Sequence, residues 1–336
     1  MSNLNKILLN KINCKSVWFM RQAGRYLPEF QKIRSKNQDF IKLCLNSELS
    51  SEITLQPIER FDLDSAIIFS DILMVPYALG QDVRFIKNSG PELSDFNLNQ
   101  FLKNEKNIFS DKLSPVYKAI DITRRKLKKS KSLISFIGAP WTLIVYMLNV
   151  KDGKGEIKSQ ELQDKKKSLN QIIETLINFL CIHIKNQINA GADVIQIFDS
   201  WAGLIPQKNL NEYCYTPNAR ISNFCRKQKI PTIFFPKGIK KRYEDFNKIV
   251  KPDGINLDPD IDPVWAREKL RNVVIQGGLN PNILLKDDED IIKGATKYIR
   301  TFKDIPYVFN LGHGLLPETD PDKVSKLIKF YRNFDG

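Results

Sequence analysis

Val194-Ile-Gln-Ile-Phe198, followed at once by Asp199 and Ser200, is a short apolar run that ends in polar residues. Such a run, rich in β-branched side chains and bounded by turn formers, reads as a strand buried on both faces. The same plan recurs at Ser65–Phe69, Leu133–Ile137, Thr232–Phe235, Gly254–Leu257, Val273–Gln276 and Tyr307–Asn310. Helical patterns lie between these runs. Leu169, Ile172, Ile173, Leu176, Leu180 and Ile184 share one helical face, and that helix is expected to stop near Gly191. The last helix is predicted to open with Asp320 as N-cap and Pro321 in its first turn, burying Val324, Leu327, Ile328 and Tyr331. Strand and helix in alternation predict a parallel sheet clad in helices.

Such a sheet is either open and doubly wound or closed into a barrel. The residues just past each run favour closure: Ser70 and Asp71, Pro140 and Trp141, Asp199 and Ser200, Lys237, Asp258, Gly277 and Gly278, and His313. Barrel enzymes build their sites from several strand ends on that face. An open sheet gathers its ligand at one switch point, usually with a Gly-rich phosphate turn. No GxGxxG or GxxxxGK[ST] string occurs, which argues against nucleotide use. The expected fold is therefore α/β, a single-domain (β/α)8 TIM barrel spanning residues 1–336, with the eighth strand hidden outside the seven runs.

The chain of 336 residues is 42% hydrophobic, enough for one large core. No apolar run approaches the roughly 20 residues that span a bilayer, so no membrane insertion is expected. The N-terminus lacks the pattern of a signal peptide, and a cytoplasmic location follows. Five cysteines without a CxxC pair read as free thiols. The net charge of +14 would suit nucleic acid, but its lysines are scattered over helix surfaces and no nucleic-acid motif accompanies them. A polyanionic small substrate would benefit from the same field, so charge alone does not choose the partner.

Trp18-Phe-Met-Arg-Gln-Ala-Gly-Arg-Tyr-Leu-Pro-Glu-Phe30 sets Arg21 and Arg25 around a small Ala23-Gly24 step. Arginine presents a planar fork of donors that fits a carboxylate, and a glycine lets backbone N–H groups approach a ligand. Asp71 stands between apolar runs in Ile67-Ile-Phe-Ser-Asp-Ile-Leu73. It reads equally as the cap of the next helix or as a pocket anion. Of two histidines, His183 sits mid-helix and reads as structural. His313, in Asn310-Leu-Gly-His-Gly314, is flanked by glycines at a strand end and is the better site candidate. Tyr146, after Gly138-Ala-Pro-Trp-Thr-Leu143, and Ser200, in Phe198-Asp-Ser-Trp-Ala-Gly203, would each pass alone for an ordinary polar residue.

Together these strings resemble the uroporphyrinogen decarboxylase family, from Trp18 through the Asp320-Pro321 helix, with weaker matches at Leu55-Gln-Pro-Ile58 and Pro236-Lys-Gly238. The resemblance implies loss of the acetate carboxyls of uroporphyrinogen III to give coproporphyrinogen III in tetrapyrrole synthesis. It implies that Arg21, Gln22, Ala23, Gly24 and Arg25 bind the substrate, that one arginine is a candidate proton donor or relay, and that Asp71 accepts pyrrole N–H groups and stabilises a developing cation. Tyr146, Ser200 and His313 would orient the substrate. Protonating a pyrrole α-carbon creates an electron sink for the departing carboxyl, and a fixed carboxylate stabilises the resulting cation. No metal or organic cofactor is then expected. A homodimer is expected from the same resemblance. The chain departs from the family at Leu257-Asp-Pro259, at Gln276-Gly-Gly-Leu-Asn-Pro281 and in the basic loop from Asn149 to Ile157. These departures put substrate positioning in question more than the reaction.

Two rivals remain. A corrinoid- or thiol-dependent methyltransferase, a related barrel class, would hold zinc through a His-x-Cys pair and a distant Cys. Here the close pair, Cys181 and His183, has the reverse order and points to different helix faces. A non-catalytic basic barrel would show salt-sensitive nucleic-acid binding and no turnover.

Overall fold

A computed structural model describes residues 1–86, 90–150 and 166–334. All seven expected runs become strands of one parallel sheet, with ends shifted by a few residues. Numbered along the chain, the strands are β1 (Ser65–Ile67), β2 (Val83–Ile86), β3 (Gly90–Leu93), β4 (Ser132–Gly138), β5 (Val194–Asp199), β6 (Thr232–Pro236), β7 (Gly254–Leu257), β8 (Val274–Gly277) and β9 (Tyr307–Val308). The parallel sheet runs β1-β4-β5-β6-β7-β8-β9. Its residues are buried apart from Phe136 and Phe198, which are half-buried, as continuous apolar runs require. The pair β2–β3 is an antiparallel hairpin in the register Val83↔Leu93, and the sequence reading did not anticipate it.

The sheet curls around its own interior. Trp18, Met20, Ile67, Ile134, Val194, Ile233, Phe235, Val274 and Val308 form one cluster there with Leu4, Ile7 and Leu8. These last three belong to the helix Asn3–Asn10, whose N-cap Ser2 accepts from the amide of Asn5. The helix sits under the strand starts: the Ser2 hydroxyl meets that of Ser132 at 2.5 Å, and Lys11 Nζ donates to the Asp253 carbonyl at 3.1 Å. Within the sheet, fully buried amides form a polar layer. Trp18 Nε1 donates to Gln276 Oε1 at 2.9 Å, and Gln276 Nε2 donates to Asn256 Oδ1 at 2.9 Å. A second, larger cluster fills the space between sheet and helices.

The segment Ser16–Met20 touches both outer strands. The Phe309 amide donates to the Ser16 carbonyl at 2.9 Å, and Val17 forms a parallel bridge with Phe309. On the other side the Asp64 amide, one residue before β1, donates to the Val17 carbonyl at 2.9 Å, and the Val17 amide returns a bond to Asp64 Oδ2 at 2.7 Å.

The helix Lys166–Asn189 ends ahead of Gly191, whose φ of +108 suits glycine, as expected. The helix Pro321–Asn333 is capped by Asp320 and buries the four residues named for it. His183 is 4% exposed and faces the Tyr117 hydroxyl at 3.0 Å through Nδ1 and the Gln187 amide at 2.9 Å through Nε2, which is the structural role read from the sequence. All five cysteines are free.

Candidate active site

Arg21 leads a tight turn just past the Ser16–Met20 segment. Its φ of +59 places a non-glycine residue in the left-handed region, a conformation that costs about 1–2 kcal/mol and needs support. Gln22 supplies that support. Its Oε1 accepts from the Phe19 amide at 3.0 Å, its Nε2 donates to the Ser65 carbonyl at 3.0 Å, and its own carbonyl accepts from Tyr26 Oη at 2.9 Å. Gln22 is therefore 0% exposed, with its side chain committed to the backbone. Of the substrate ligands expected in this turn, Arg21 and Arg25 are exposed and Ala23 and Gly24 half-buried, while Gln22 is withdrawn into the core. A methyl placed on Gly314 would overlap the Arg21 side chain, approaching its Cγ to 2.6 Å, so that glycine makes room for the guanidinium stem.

Asp71 lies four residues beyond β1, half-buried, with Oδ1 accepting from the Leu73 amide at 2.8 Å. It thus forms a local turn as well as presenting a carboxylate. Burial raises its pKa to about 6, against the pull of the Leu73 N–H and of nearby Arg21. Although Arg21 as a residue is exposed, its guanidinium lies against enough protein to be partly desolvated, which lowers its pKa from the usual arginine range, and the charge of Arg25 adds to this while Asp71 opposes both. Tyr146, in the helix Pro140–Met147 that follows β4, stands in the electrostatic reach of both Asp71 and Arg21. Burial raises its phenol. Its ring meets Trp201 edge-on at 5.9 Å.

Ser200 directly follows β5 and is half-buried. The residue before it is anchored: Asp199 accepts from Thr142 Oγ1 at 2.8 Å, Asn218 Nδ2 at 3.0 Å and Cys214 Sγ at 3.4 Å. His313 is half-buried beyond β9, and its Nδ1 accepts from the Gly314 amide at 2.7 Å, leaving Nε2 as the protonated nitrogen of the neutral ring. Burial, with Lys237 and Arg21 nearby, lowers its pKa to about 4, so it is neutral at pH 7. One set of neighbours therefore gathers Arg21, Arg25, Asp71, Tyr146 and His313, with Ser200 on the adjoining strand end. The sequence reading named Lys237 and Asp258 only as strand-end residues. Lys237 shares the field of Arg21 and His313, and Asp258 Oδ2 accepts from the Gly238 amide at 2.7 Å and Tyr243 Oη at 2.8 Å.

The family model for uroporphyrinogen decarboxylase (URO-D) matches residues 7–334. The chain belongs to the uroporphyrinogen decarboxylase family. A uroporphyrinogen decarboxylase of Orientia tsutsugamushi strain Ikeda is 44% identical over 332 residues, covering 96% of this chain and 95% of that relative. One from Rickettsia felis is 40% identical over 328 residues, covering 95% and 93%. Among solved structures, a methyltransferase from Methanosarcina mazei superimposes with a TM-score of 0.76 at 15% identity, covering 99% of this chain and 98% of that one, a likeness of fold alone.

The departures from the family pattern fall on turns. Gly278 has φ +98 and lies against Tyr298, whose hydroxyl donates to its carbonyl at 2.7 Å. Asn280 Oδ1 accepts from the Asn282 amide at 3.0 Å. Pro259 presses on Gly312, next to His313, where an added methyl would come within 2.7 Å of it. The basic loop lies outside the described residues from 151 onward. Among the described residues no three His, Cys, Asp or Glu side chains gather as a metal site, and no helix is long and apolar enough to cross a membrane.

Proposed function

We infer that this protein removes the acetate carboxyls of uroporphyrinogen III, yielding coproporphyrinogen III in tetrapyrrole biosynthesis. The observation that carries the site assignment is Asp71: a half-buried carboxylate, fixed through one oxygen, beside the Arg21 guanidinium and the Tyr146 phenol. Each turnover of an acetate replaces a C–CO2⁻ bond by C–H, releases CO2 and consumes one proton. The pyrrole ring takes a proton on its α-carbon, its cation draws the C–CO2⁻ electrons inward, and a second protonation forms the methyl group as the ring proton leaves. Asp71 accepts the pyrrole N–H groups and lowers the energy of the cation without reorganising. Arg21 and Arg25 bind carboxylates, with Arg21 a candidate relay for the proton. The half-buried Ala23 and Gly24 line the turn, and Gln22 acts as a positioning residue that holds Arg21 in its left-handed conformation. Tyr146, Ser200 and neutral His313 orient the substrate as hydrogen-bonding groups.

The double-sided contacts of Ser16–Met20 with β9 and with the start of β1 support this segment as the eighth stave of a closed (β/α)8 barrel, forming one domain across the chain. The family resemblance supports a homodimer, a cytoplasmic location and a reaction without metal or organic cofactor. The deciding experiment is anaerobic turnover of uroporphyrinogen III by the purified protein with chelator present. Coproporphyrinogen should accumulate. No product from the folded wild-type chain would overturn the assignment.

A further inference from the structure

Lys237 is the first residue beyond β6, and its backbone is tied through both its amide and its carbonyl. Its amide donates to the carbonyls of Asp199 at 3.1 Å and Phe235 at 3.0 Å, and its own carbonyl accepts from the Gly203 amide at 2.9 Å. Behind it the loops leaving β5 and β6 touch backbone to backbone: a methyl on Gly203 would sit 2.7 Å from the Gly238 carbonyl oxygen. The side chain is half-buried, yet among the described residues no hydrogen bond or ion pair holds its ammonium. Asp258, the nearest carboxylate in electrostatic terms, already accepts from Gly238 N–H and Tyr243 Oη.

In strand order β6 is the fourth strand from Ser16–Met20 whichever edge of the sheet is followed. Lys237 nevertheless lies close enough to Arg21 and His313 for their charges and protons to influence one another. Two cations, Lys237 and Arg21, thus share one field at the strand ends, and His313 within that field is neutral. A half-desolvated ammonium without an anion is costly and gains most from a charge brought in by a ligand. The reduced tetrapyrrole carries carboxylates around its whole rim, so a clamp on one side alone would leave the far carboxylates unpaired.

We propose that Lys237 is a third cationic ligand for the carboxylates of the substrate, binding the rim away from Arg21 and Arg25. This ligand depends on the decarboxylase assignment above. Its role is to bind and register the macrocycle, so its loss acts on KM more than on kcat.

The test compares wild type with Lys237→Met and Lys237→Arg, each checked for folding by circular dichroism and thermal melting. Anaerobic turnover of uroporphyrinogen III is measured, with coproporphyrinogen III as a competing product. A lost charge-assisted contact should raise KM about ten- to a hundred-fold in Lys237→Met, with kcat within about three-fold of wild type. Lys237→Arg should restore most of the KM. Weaker product inhibition in Lys237→Met places a retained propionate on Lys237, and unchanged product inhibition places an acetate there. Either accompanies the KM rise and supports the ligand. An unchanged KM in folded Lys237→Met would overturn it, as would a loss of kcat alone or a KM defect that Lys237→Arg does not relieve. A wild type that fails to turn over would instead overturn the decarboxylase assignment.

Discussion

Asp71 does two jobs with two oxygens. One ties the backbone at Leu73, and the carboxylate as a whole meets Arg21. The role proposed for Asp71 uses its ionised form, so kcat/KM of the wild type should fall as the pH drops through about 6. Arg21 pulls that pKa down. The residual activity of Arg21→Ala should therefore show its acid limb at a higher pH than wild type, and a limb that stays put would remove the coupling. Asp71→Asn keeps an oxygen for Leu73 N–H but loses the charge, and turnover should fall by about 10²–10³-fold. The sign for stability is opposite to that of a salt-bridged acid. Between its ordinary value of 3.8 and about 6 the folded chain holds the proton more tightly, so stability falls as pH rises through that window. Asp71→Asn should thus melt at least as high as wild type at pH 8. Locally the sequence left Asp71 divided between helix cap and pocket anion; the helix Met74–Ala78 has Leu73 at its N-cap without a side-chain cap, and Asp71 instead closes a turn ahead of it through the Leu73 amide. Gln22 was less legible. A polar residue between two arginines invites a ligand reading, and only the fold reveals that its side-chain amide is spent on the backbone at Phe19 and Ser65, beside a left-handed arginine.

Two long helices, Lys106–Lys126 and Lys166–Asn189, meet at His183 and Tyr117. Burial presses His183 to a pKa of about 3, against 6.5 when free. In that interval the unfolded chain binds the extra proton, so stability is lost as pH falls from about 6.5 towards 3. The loss should be about 3 kcal/mol between pH 7 and pH 4 from this residue. Denaturant titrations of His183→Gln should show a flatter pH dependence, and an unchanged slope would place the acid sensitivity elsewhere, His313 being next. The loops after β5 and β6 invite another substitution. Gly203→Ala drives a methyl into the Gly238 backbone and should cost about 1–3 kcal/mol in thermal unfolding. The seven core strands were readable because each is an uninterrupted apolar run. The hairpin β2–β3 was not, because it carries Arg84 and Glu92 on exposed positions and a half-exposed surface has no such signature.

The net charge of +14 becomes intelligible once the ligand is a polyanion. Long-range attraction is screened by salt, so kcat/KM for uroporphyrinogen should fall several-fold from low to physiological ionic strength while kcat holds. A kcat that fell in step would assign the salt effect to the chemistry instead. The alternation of strands and helices made the class of fold legible, and the polar residues past each strand end supplied the candidate site. The segment proposed as the eighth stave was not legible as a strand, because Trp18-Phe-Met20 is short and runs straight into the arginine turn. At its start, Val17 bonds to Asp64 on one flank, and Ser16 and Trp18 bond to Phe309 on the other. Its two partners lie far apart in the chain, so this contact closes only when distant parts of the sequence have come together. Until Phe309 is in place the arginine turn therefore stands beside an unpaired edge. Chains that stop before Tyr307 keep six of the parallel strands but lack both β9 and the Phe309 contact, so they should show no turnover, and activity in such a chain would sink this coupling between the last strand and the arginine turn.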